Sequence, residues 1–286
     1  MDHAIPGAPP PFDLVMPAER TAPVVFASAH SGRNYPASFI EAARLDPMGL
    51  RRSEDSFVEE LFALVPGTGA PLIAATFPRA YCDPNREPWE LDPNMFEGDL
   101  PAWVNTTSAR VGAGLGTLAR VVATGESIYR AKLPFSEAEF RVSSCWKPYH
   151  DMLTALIAET RARFGACLLI DCHSMPSHAG RGTPADIVLG DAHGTACSGR
   201  VTRLVESTLS GMGYEVRRND PYAGGYVTRH YGRPREGVHA LQIELARSLY
   251  MDEERFVRRP GFATLQRDLT ALAARLAEVA PVLLEP

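Results

Sequence analysis

Short apolar runs alternate with segments of helical periodicity along the chain. Residues 24–28, 72–77 and 167–171 are apolar and rich in aliphatic side chains, which predicts buried strands. Residues 149–164 carry apolar side chains at helical spacing and are followed by Gly165, which predicts a long helix. Further predicted strands are 185–189, 214–216 and 238–245, and further predicted helices are 53–64, 195–209 and 262–279. Strands that alternate with helices favour an α/β fold.

Prolines set the first residues apart from this pattern. Pro6, Pro9, Pro10, Pro11 and Pro17 deny the backbone regular hydrogen bonding, so we predict a proline-rich N-terminal arm over residues 1–22. Residues 23–286 are predicted to form a single α/β domain, with a mostly parallel mixed sheet and helices on both faces. Residues 89–144 mix proline, glycine and aromatic side chains, and their periodicity does not define an order of elements.

The amino-acid composition limits the kinds of molecule that the protein is expected to bind. The 286 residues are 45% hydrophobic and 22% charged, with a formal net charge of −5, so no basic stripe is available for nucleic acid. No apolar run is long enough for a signal peptide or a membrane span, and we expect a cytoplasmic protein that binds a small molecule, as a monomer or small homo-oligomer. The five cysteines are scattered and none forms a Cys-x-x-Cys pair, so the ligands of any metal must be histidines and carboxylates.

Histidines follow two of the predicted strands. His30 comes after the strand at 24–28, and His173 comes just past the end of the strand at 167–171. Ligands of α/β sheets bind beyond the carboxyl ends of the strands, so one site can gather both imidazoles. Asp171 can orient the His173 ring, as metal-binding histidines require, or it can merely cap a turn. His30 alone favours a loop histidine that hydrogen-bonds a turn, but two histidines at strand ends together favour a metal.

A catalytic zinc site usually has three protein ligands and one position for water. Glu54 and Asp55 are the acidic candidates for the third ligand, and we place Asp55 ahead of Glu54. The alternative is that Asp55 is the N-cap of the helix predicted to follow it, a role that aspartate often has.

Two further charged residues are candidates for binding and catalysis. Pro84 stiffens the loop that carries Arg86, whose guanidinium can bind an amino-acid carboxylate, although a surface ion pair with Asp83 would explain the same residues. Glu244 interrupts an apolar strand and is a candidate general base, unless the alternation of the strand turns it outward to water. The glycines at 224 and 225 indicate either a flexible loop over the substrate or an ordinary turn.

Taken together, these motifs resemble the N-formylglutamate amidohydrolase family over roughly residues 24–253. They occur in the family's order as His30-Ser31-Gly32, Glu54-Asp55, Asp83-Pro84-Asn85-Arg86, Asp171-Cys172-His173-Ser174 and Gln242-Ile243-Glu244. The family is similar in turn to the zinc carboxypeptidases (phosphorylase/hydrolase-like fold) and to the aspartoacylase and succinylglutamate desuccinylase group. The resemblance therefore implies a zinc-carboxypeptidase-like fold for the domain at 23–286.

The resemblance also implies a role for each site residue. His30 and His173 would bind one Zn²⁺ ion, or another divalent metal, while Asn85 and Arg86 would bind the substrate carboxylate and Glu244 would activate water. Arg33 stands where the wider group places a ligand glutamate, so the third ligand is expected elsewhere, at Asp55.

The expected activity is zinc-dependent hydrolysis of the amide bond of a small N-acyl amino acid, N-formyl-L-glutamate being converted to formate and L-glutamate. A deacylase for another N-acyl amino acid, a carboxypeptidase-like peptidase and a non-catalytic binding protein on the same fold are the alternatives. No nucleic-acid or membrane partner is expected.

Overall fold

A computed structural model describes residues 10–177, 185–278 and 284. Its main sheet contains β1 (Phe12–Val15), β2 (Val24–Ser28), β3 (Leu72–Ala75), β4 (Cys167–Met175), β5 (Ile187–Gly190), β6 (Val216–Arg218) and β7 (Val238–Ala246). Two short strands, β8 (Met251–Asp252) and β9 (Val257–Arg258), form a separate antiparallel pair.

The strand order of the main sheet is β1-β3-β2-β4-β7-β5-β6. β2 pairs in parallel with both β3 and β4, and β4 pairs in parallel with β7. β5 runs antiparallel to β7 and parallel to β6, which makes the sheet mixed. The predicted α/β fold with a mostly parallel mixed sheet is therefore confirmed.

The helices connect these strands. They are α1 (Ala37–Ala42), α2 (Pro47–Arg51), α3 (Val58–Leu61), α4 (Ala109–Gly112), α5 (Phe135–Arg141), α6 (Lys147–Phe164), α7 (Gly199–Gly211), α8 (Tyr226–Tyr231) and α9 (Gly261–Ala277). A π-helical turn, Val142–Trp146, joins α5 to α6. Among the described helices, none combines the length and the apolar composition needed to cross a bilayer.

Two compact units make up the described chain. The first, here the sheet unit, comprises residues 14–28, 55–74, 153–177, 185–278 and 284. Every position of β2, β4 and β7 in it is buried, as expected for parallel strands covered on both faces. Their apolar side chains form one cluster with those of α7 and α9, including Val205 and Leu269. Each fully buried leucine of this kind stabilises the fold by roughly 1.5–3 kcal/mol.

The second, here the loop-rich unit, comprises residues 10–13, 29–54 and 75–152. Its apolar cluster contains Leu91, Phe96 and Leu118, with Trp89 packed against it. Buried Arg141 of α5 lies 4.0 Å from the centre of the Tyr81 ring and pairs with Glu137 at 2.8 Å. Contacts between residues far apart in the sequence, such as Arg141 and Tyr81, organise this unit. The hydrophobic periodicity of residues 89–144 therefore does not predict their structure.

Several predicted elements are shifted by a few residues in the structure, and three predictions differ from it more substantially. The helix predicted at 53–64 is wrong for most of its length, because Phe57 adopts a left-handed φ of 69° and α3 begins only at Val58. The strand predicted at 167–171 continues to Met175 as β4, so His173 lies within the strand and not just past its end. Within the predicted arm, the proline-free segment Phe12–Val15 forms β1; residues 1–9 lie outside the described residues.

Candidate metal centre

His173 is held at both nitrogens of its ring. It lies on the central strand β4 with 2% of its surface exposed. Its Nε2 is 2.9 Å from Oδ1 of Asp171, and its Nδ1 is 3.0 Å from Oδ2 of Asp55. The hydroxyl of Thr228, on α8, donates to the other oxygen of Asp171 at 3.2 Å. The ring therefore has one orientation, with Asp171 on one side and Asp55 on the other.

The pKa of His173 is shifted by these neighbours. Burial lowers the pKa of the imidazole, but the negative charge of Asp171 and the hydrogen bonds to Asp171 and Asp55 outweigh burial, with a further contribution from Glu244. The net effect holds the pKa of His173 well above its usual value. Three carboxylates thus create a strongly negative environment around this ring, which favours a cation.

Asp55 is a buried partner of His173 and not a helix cap. One of its oxygens faces His173, and the other accepts a hydrogen bond from Nη2 of Arg247 at 3.2 Å. The N-cap residue of α3 is Phe57, with no side-chain cap, so the capping alternative for Asp55 is wrong. Glu54 has a different environment, since it accepts hydrogen bonds from the Tyr35 hydroxyl at 2.7 Å and from Arg51 at 3.1 Å.

His30 has its own orienting carboxylate, Asp83. Nε2 of His30 lies 2.7 Å from Oδ1 of Asp83, and the backbone N–H of Asn85 donates to the same oxygen at 2.8 Å. Burial raises the pKa of Asp83, but Arg79, Arg86 and His30 outweigh it and hold that pKa well below its usual value. Asp83 is therefore an ionised, buried acceptor that fixes the ring of His30.

Arg86 forms an ion pair with Asp83, as the structural alternative predicts, but the pair is buried and not on the surface. Its Nε donates to the carbonyl of Leu115 at 2.8 Å and its Nη1 to the carbonyl of Asn85 at 2.7 Å. Its Nη2 lies 3.8 Å from Asp83. Burial lowers the pKa of Arg86 to about 10, which leaves the guanidinium charged at neutral pH. The structure thus holds this cation rigidly by two backbone carbonyls.

Glu244 is also buried, which excludes the alternative of an outward-facing side chain on the strand. Its Oε1 accepts a hydrogen bond from Nε2 of Gln242 at 2.7 Å. Oε1 of Gln242 accepts in turn from the backbone N–H of Gly225 at 2.8 Å. Gly225 is therefore linked to the carboxylate of Glu244 by two hydrogen bonds through the Gln242 side chain. Thr228, three residues after Gly225, is hydrogen-bonded to Asp171. This supports a fixed turn and not a flexible loop over the substrate.

Among the described residues, His30, Asp55 and His173 form a buried group of metal-ligating side chains. Each offers one ligand atom, and these atoms all lie within 4.8 Å of one another. Two imidazoles and a carboxylate are a donor set of catalytic zinc sites. Each imidazole also contacts a carboxylate that can orient it, Asp83 for His30 and Asp171 for His173. The side chains therefore fit a zinc ion.

Sequence reasoning missed four residues of this network: Asp83 as a partner of His30, and Arg247, Thr228 and Gln242. The sequence indicates Asp83 only as a possible ion-pair partner of Arg86. Arg247 follows Glu244 by three residues in the motif, and its contact with Asp55 joins positions 192 residues apart. No spacing in the chain indicates such a contact, because it depends on the pairing of distant strands.

The chain is similar in sequence to known proteins over most of its length. Residues 22–251 match the family model of N-formylglutamate amidohydrolase. The chain is 30% identical to N-formylglutamate deformylase of Pseudomonas aeruginosa over 239 residues, which covers 81% of this chain and 83% of the relative. It is also 30% identical to N-formylglutamate deformylase of Pseudomonas putida over 272 residues, which covers 90% of this chain and 94% of the relative.

Solved structures resemble the fold as a whole. The crystal structure of N-formylglutamate amidohydrolase from Ralstonia eutropha JMP134 matches with a TM-score of 0.89 and 41% identity, covering 94% of this chain and 97% of that chain. A protein from Agrobacterium tumefaciens, 18% identical over 95% of this chain and 96% of its own, matches with a TM-score of 0.67 and shows likeness of fold alone. These matches confirm the predicted fold class and the resemblance on which it drew.

Proposed function

Because the chain belongs to the N-formylglutamate amidohydrolase family, we propose that it is a zinc-dependent enzyme that hydrolyses N-formyl-L-glutamate to formate and L-glutamate. The activity is that named for the two Pseudomonas relatives. The observation that carries the proposed metal dependence is the buried group of His30, Asp55 and His173. These three residues would hold the ion.

A bound zinc ion would acidify a water molecule and polarise the formyl carbonyl. Glu244 is the proposed general base, which accepts the proton of the attacking water. The oxygen of that water forms a bond to the formyl carbon, and the carbon–nitrogen bond then breaks. Glu244 returns its proton to the departing amine of glutamate, so that one carboxylate serves as base and then as acid.

Three structural facts support this role for Glu244. Its carboxylate is buried on the central strand β7. Gln242 fixes one carboxylate oxygen, so the position of the group is set before substrate binds. Glu244 also contributes to the raised pKa of His173, which places its charge near a proposed metal ligand.

Arg86, assisted by Asn85, is the proposed binding group for a carboxylate of the substrate. The guanidinium is charged, buried and anchored by two carbonyls, so little side-chain freedom is lost when an anion binds. Asn85 is buried beside it and has its backbone N–H fixed by Asp83. Their shared task is to orient the substrate relative to the reacting water.

The proposal is tested by turnover of a panel of N-acyl amino acids, with zinc content measured by elemental analysis. We expect formate release from N-formyl-L-glutamate, one zinc ion per chain, and loss of activity with a chelator that added zinc restores. Preferred cleavage of N-acetyl or N-succinyl amino acids would identify a different deacylase, and preferred cleavage of peptides would identify a peptidase. Full activity in protein shown to be free of metal would contradict the zinc dependence.

A further inference from the structure

A pocket in the loop-rich unit has a strongly basic lining. Its volume is about 370 Å³, within the range of pockets that hold small metabolites. Four of its lining residues are cations, Arg44, Arg120, Arg130 and Lys132, and none of the residues lining it is acidic. None of these residues takes part in the hydrolysis proposed above.

Backbone hydrogen bonds build the walls of this pocket. Ala43 and Tyr129 form an antiparallel bridge, and the N–H groups of Arg44 and Arg130 donate to carbonyls on the opposite segment at 2.8 and 3.1 Å. The lining segment that contains Met95 is joined to the segment that contains Lys132, because the N–H of Leu133 donates to the carbonyl of Met95 at 2.8 Å. The cations therefore project from segments that are fixed to each other and not from independent loops.

Among the described residues, only one of the four cations that line this pocket has a carboxylate partner. Arg120 pairs with Asp92 at 2.7 Å. In the part of the chain that the structure describes, no carboxylate forms an ion pair with Arg44, Arg130 or Lys132. The Nε of Arg130 donates to the carbonyl of Ala43 at 2.7 Å, which holds the guanidinium without cancelling its charge.

This local excess of cations cannot follow from a basic composition, since the chain as a whole carries a net charge of −5. Like charges around one cavity repel each other, and a concave surface focuses their field on any ligand inside. A ligand with two or more negative charges would relieve the repulsion and could bind arginine through paired hydrogen bonds.

We propose that this pocket binds a small multivalent anion, of the class of phosphate or a compact tricarboxylate. Arg44, Arg130 and Lys132, which have no carboxylate partner within the described ranges, match a ligand with two or three negative charges better than a monovalent one. The lining also offers the amide of Asn94 and the hydroxyl of Ser127 as uncharged hydrogen-bonding groups.

Calorimetric titration of the full-length protein at low salt tests this site, with inorganic phosphate and tricarballylate as the two probes and acetate as the monovalent control. We expect saturable binding of at least one multivalent anion and much weaker binding of acetate. The double variant Arg44→Ala/Lys132→Ala should weaken that binding by about tenfold or more, since it removes two of the four cations that line the pocket. Which probe binds more tightly distinguishes a phosphate site from a carboxylate site.

Arg235→Ala is the matched control, because it removes one exposed positive charge from the other compact unit. It should leave the affinity unchanged. The assignment is overturned if the unsubstituted protein shows no saturable binding, if the double variant binds the anion as tightly as the unsubstituted protein, or if Arg235→Ala weakens binding equally. Binding is measured without substrate, so these outcomes leave the proposed hydrolysis untouched.

Discussion

Glu244 and His173 are partners in register on the neighbouring parallel strands β7 and β4. Residues paired in this way project to the same face of a sheet, on strands about 4.8 Å apart. The proposed base and a proposed zinc ligand are therefore positioned by the same hydrogen-bonded ladder. A shift of one residue in the pairing would turn one of the two side chains to the opposite face.

The first prediction concerns Glu244→Gln, which keeps the shape of the side chain and removes its capacity to accept a proton. Zinc content should be unchanged, because Glu244 is not one of the three proposed ligands. Turnover should fall by about 100-fold to 10,000-fold, the usual contribution of a general acid–base group. Steady-state kinetics measure turnover and elemental analysis measures zinc content, on the same preparation of the variant.

Exposed Glu236 provides the control for this experiment, as Glu236→Gln. It should change neither turnover nor zinc content. Near-normal turnover of Glu244→Gln would exclude Glu244 as the base while leaving its buried position in the sheet as observed.

A second prediction concerns Thr228, whose hydroxyl donates to Asp171, the partner of His173. Thr228→Val removes this hydrogen bond at nearly constant volume, so Asp171 should orient the imidazole less well. We expect zinc affinity to fall by about tenfold or more, the range seen when partners of metal ligands are lost. Competition with a chromophoric chelator measures the affinity.

Thr202→Val is a closely matched control. Thr202 is equally buried, and its hydroxyl donates to the carboxylate of Asp191 at 3.1 Å. Both variants should lose about 1 kcal/mol of unfolding free energy, the usual value of one hydrogen bond. Only Thr228→Val should lose zinc affinity. Equal zinc affinities in the two variants would show that Thr228 contributes to stability and not to metal binding.

The predictions from sequence succeeded where local pattern and chemistry coincide. The strand at residues 24–28 has the observed bounds of β2, because a continuous apolar run is what a strand covered on both faces requires. His30 and His173 are expected at one site because each is predicted to follow a strand, and Asp55 because a zinc site needs a third ligand. The structure brings the ligand atoms of these three residues within 4.8 Å of one another, and their role as metal ligands stays a prediction.

Local pattern could not reveal features that depend on distant partners. β4 was predicted to end at Asp171, since polar residues usually end a buried strand, yet Asp171 and His173 continue the ladder beside Gln242 and Glu244. Each of these polar side chains is buried with a hydrogen-bonded or charged neighbour, which offsets the cost of removing it from water. The left-handed backbone at Phe57 likewise delays the start of α3 to Val58, whereas the periodicity predicts a helix from residue 53.

A third prediction concerns Arg86 and distinguishes the contribution of its positive charge to substrate binding from that of its planar guanidinium group. Arg86→Lys keeps one positive charge but loses the planar fork that can bind both oxygens of a carboxylate. KM for N-formyl-L-glutamate should rise roughly 10-fold to 100-fold, the equivalent of one lost hydrogen bond to a charged group, while kcat changes little.

Arg79→Lys is the control for Arg86, because Arg79 also pairs with Asp83, at 2.8 Å. An equal rise in KM in both variants would mean that the effect passes through Asp83 and His30, and that Arg86 does not bind the substrate. Thermal unfolding of both variants checks that the buried loop remains folded.

The last prediction decides between the two neighbouring acids, Asp55 and Glu54. Both are buried to the same extent, so burial alone does not distinguish them. Asp55 faces His173, whereas the carboxylate of Glu54 is occupied by Tyr35 and Arg51. Asp55→Asn should therefore lose most of the bound zinc, because a neutral amide is a much poorer ligand than a carboxylate.

Glu54→Gln should retain zinc and lose stability instead, by about 1–3 kcal/mol, since it weakens a buried hydrogen bond and an ion pair. Metal content by elemental analysis and unfolding by denaturant separate these two effects in the same pair of proteins. Zinc retained by Asp55→Asn and lost by Glu54→Gln would reverse the assignment. Because the two residues are adjacent in the chain, that result would require the backbone before Phe57 to direct the other side chain to the metal.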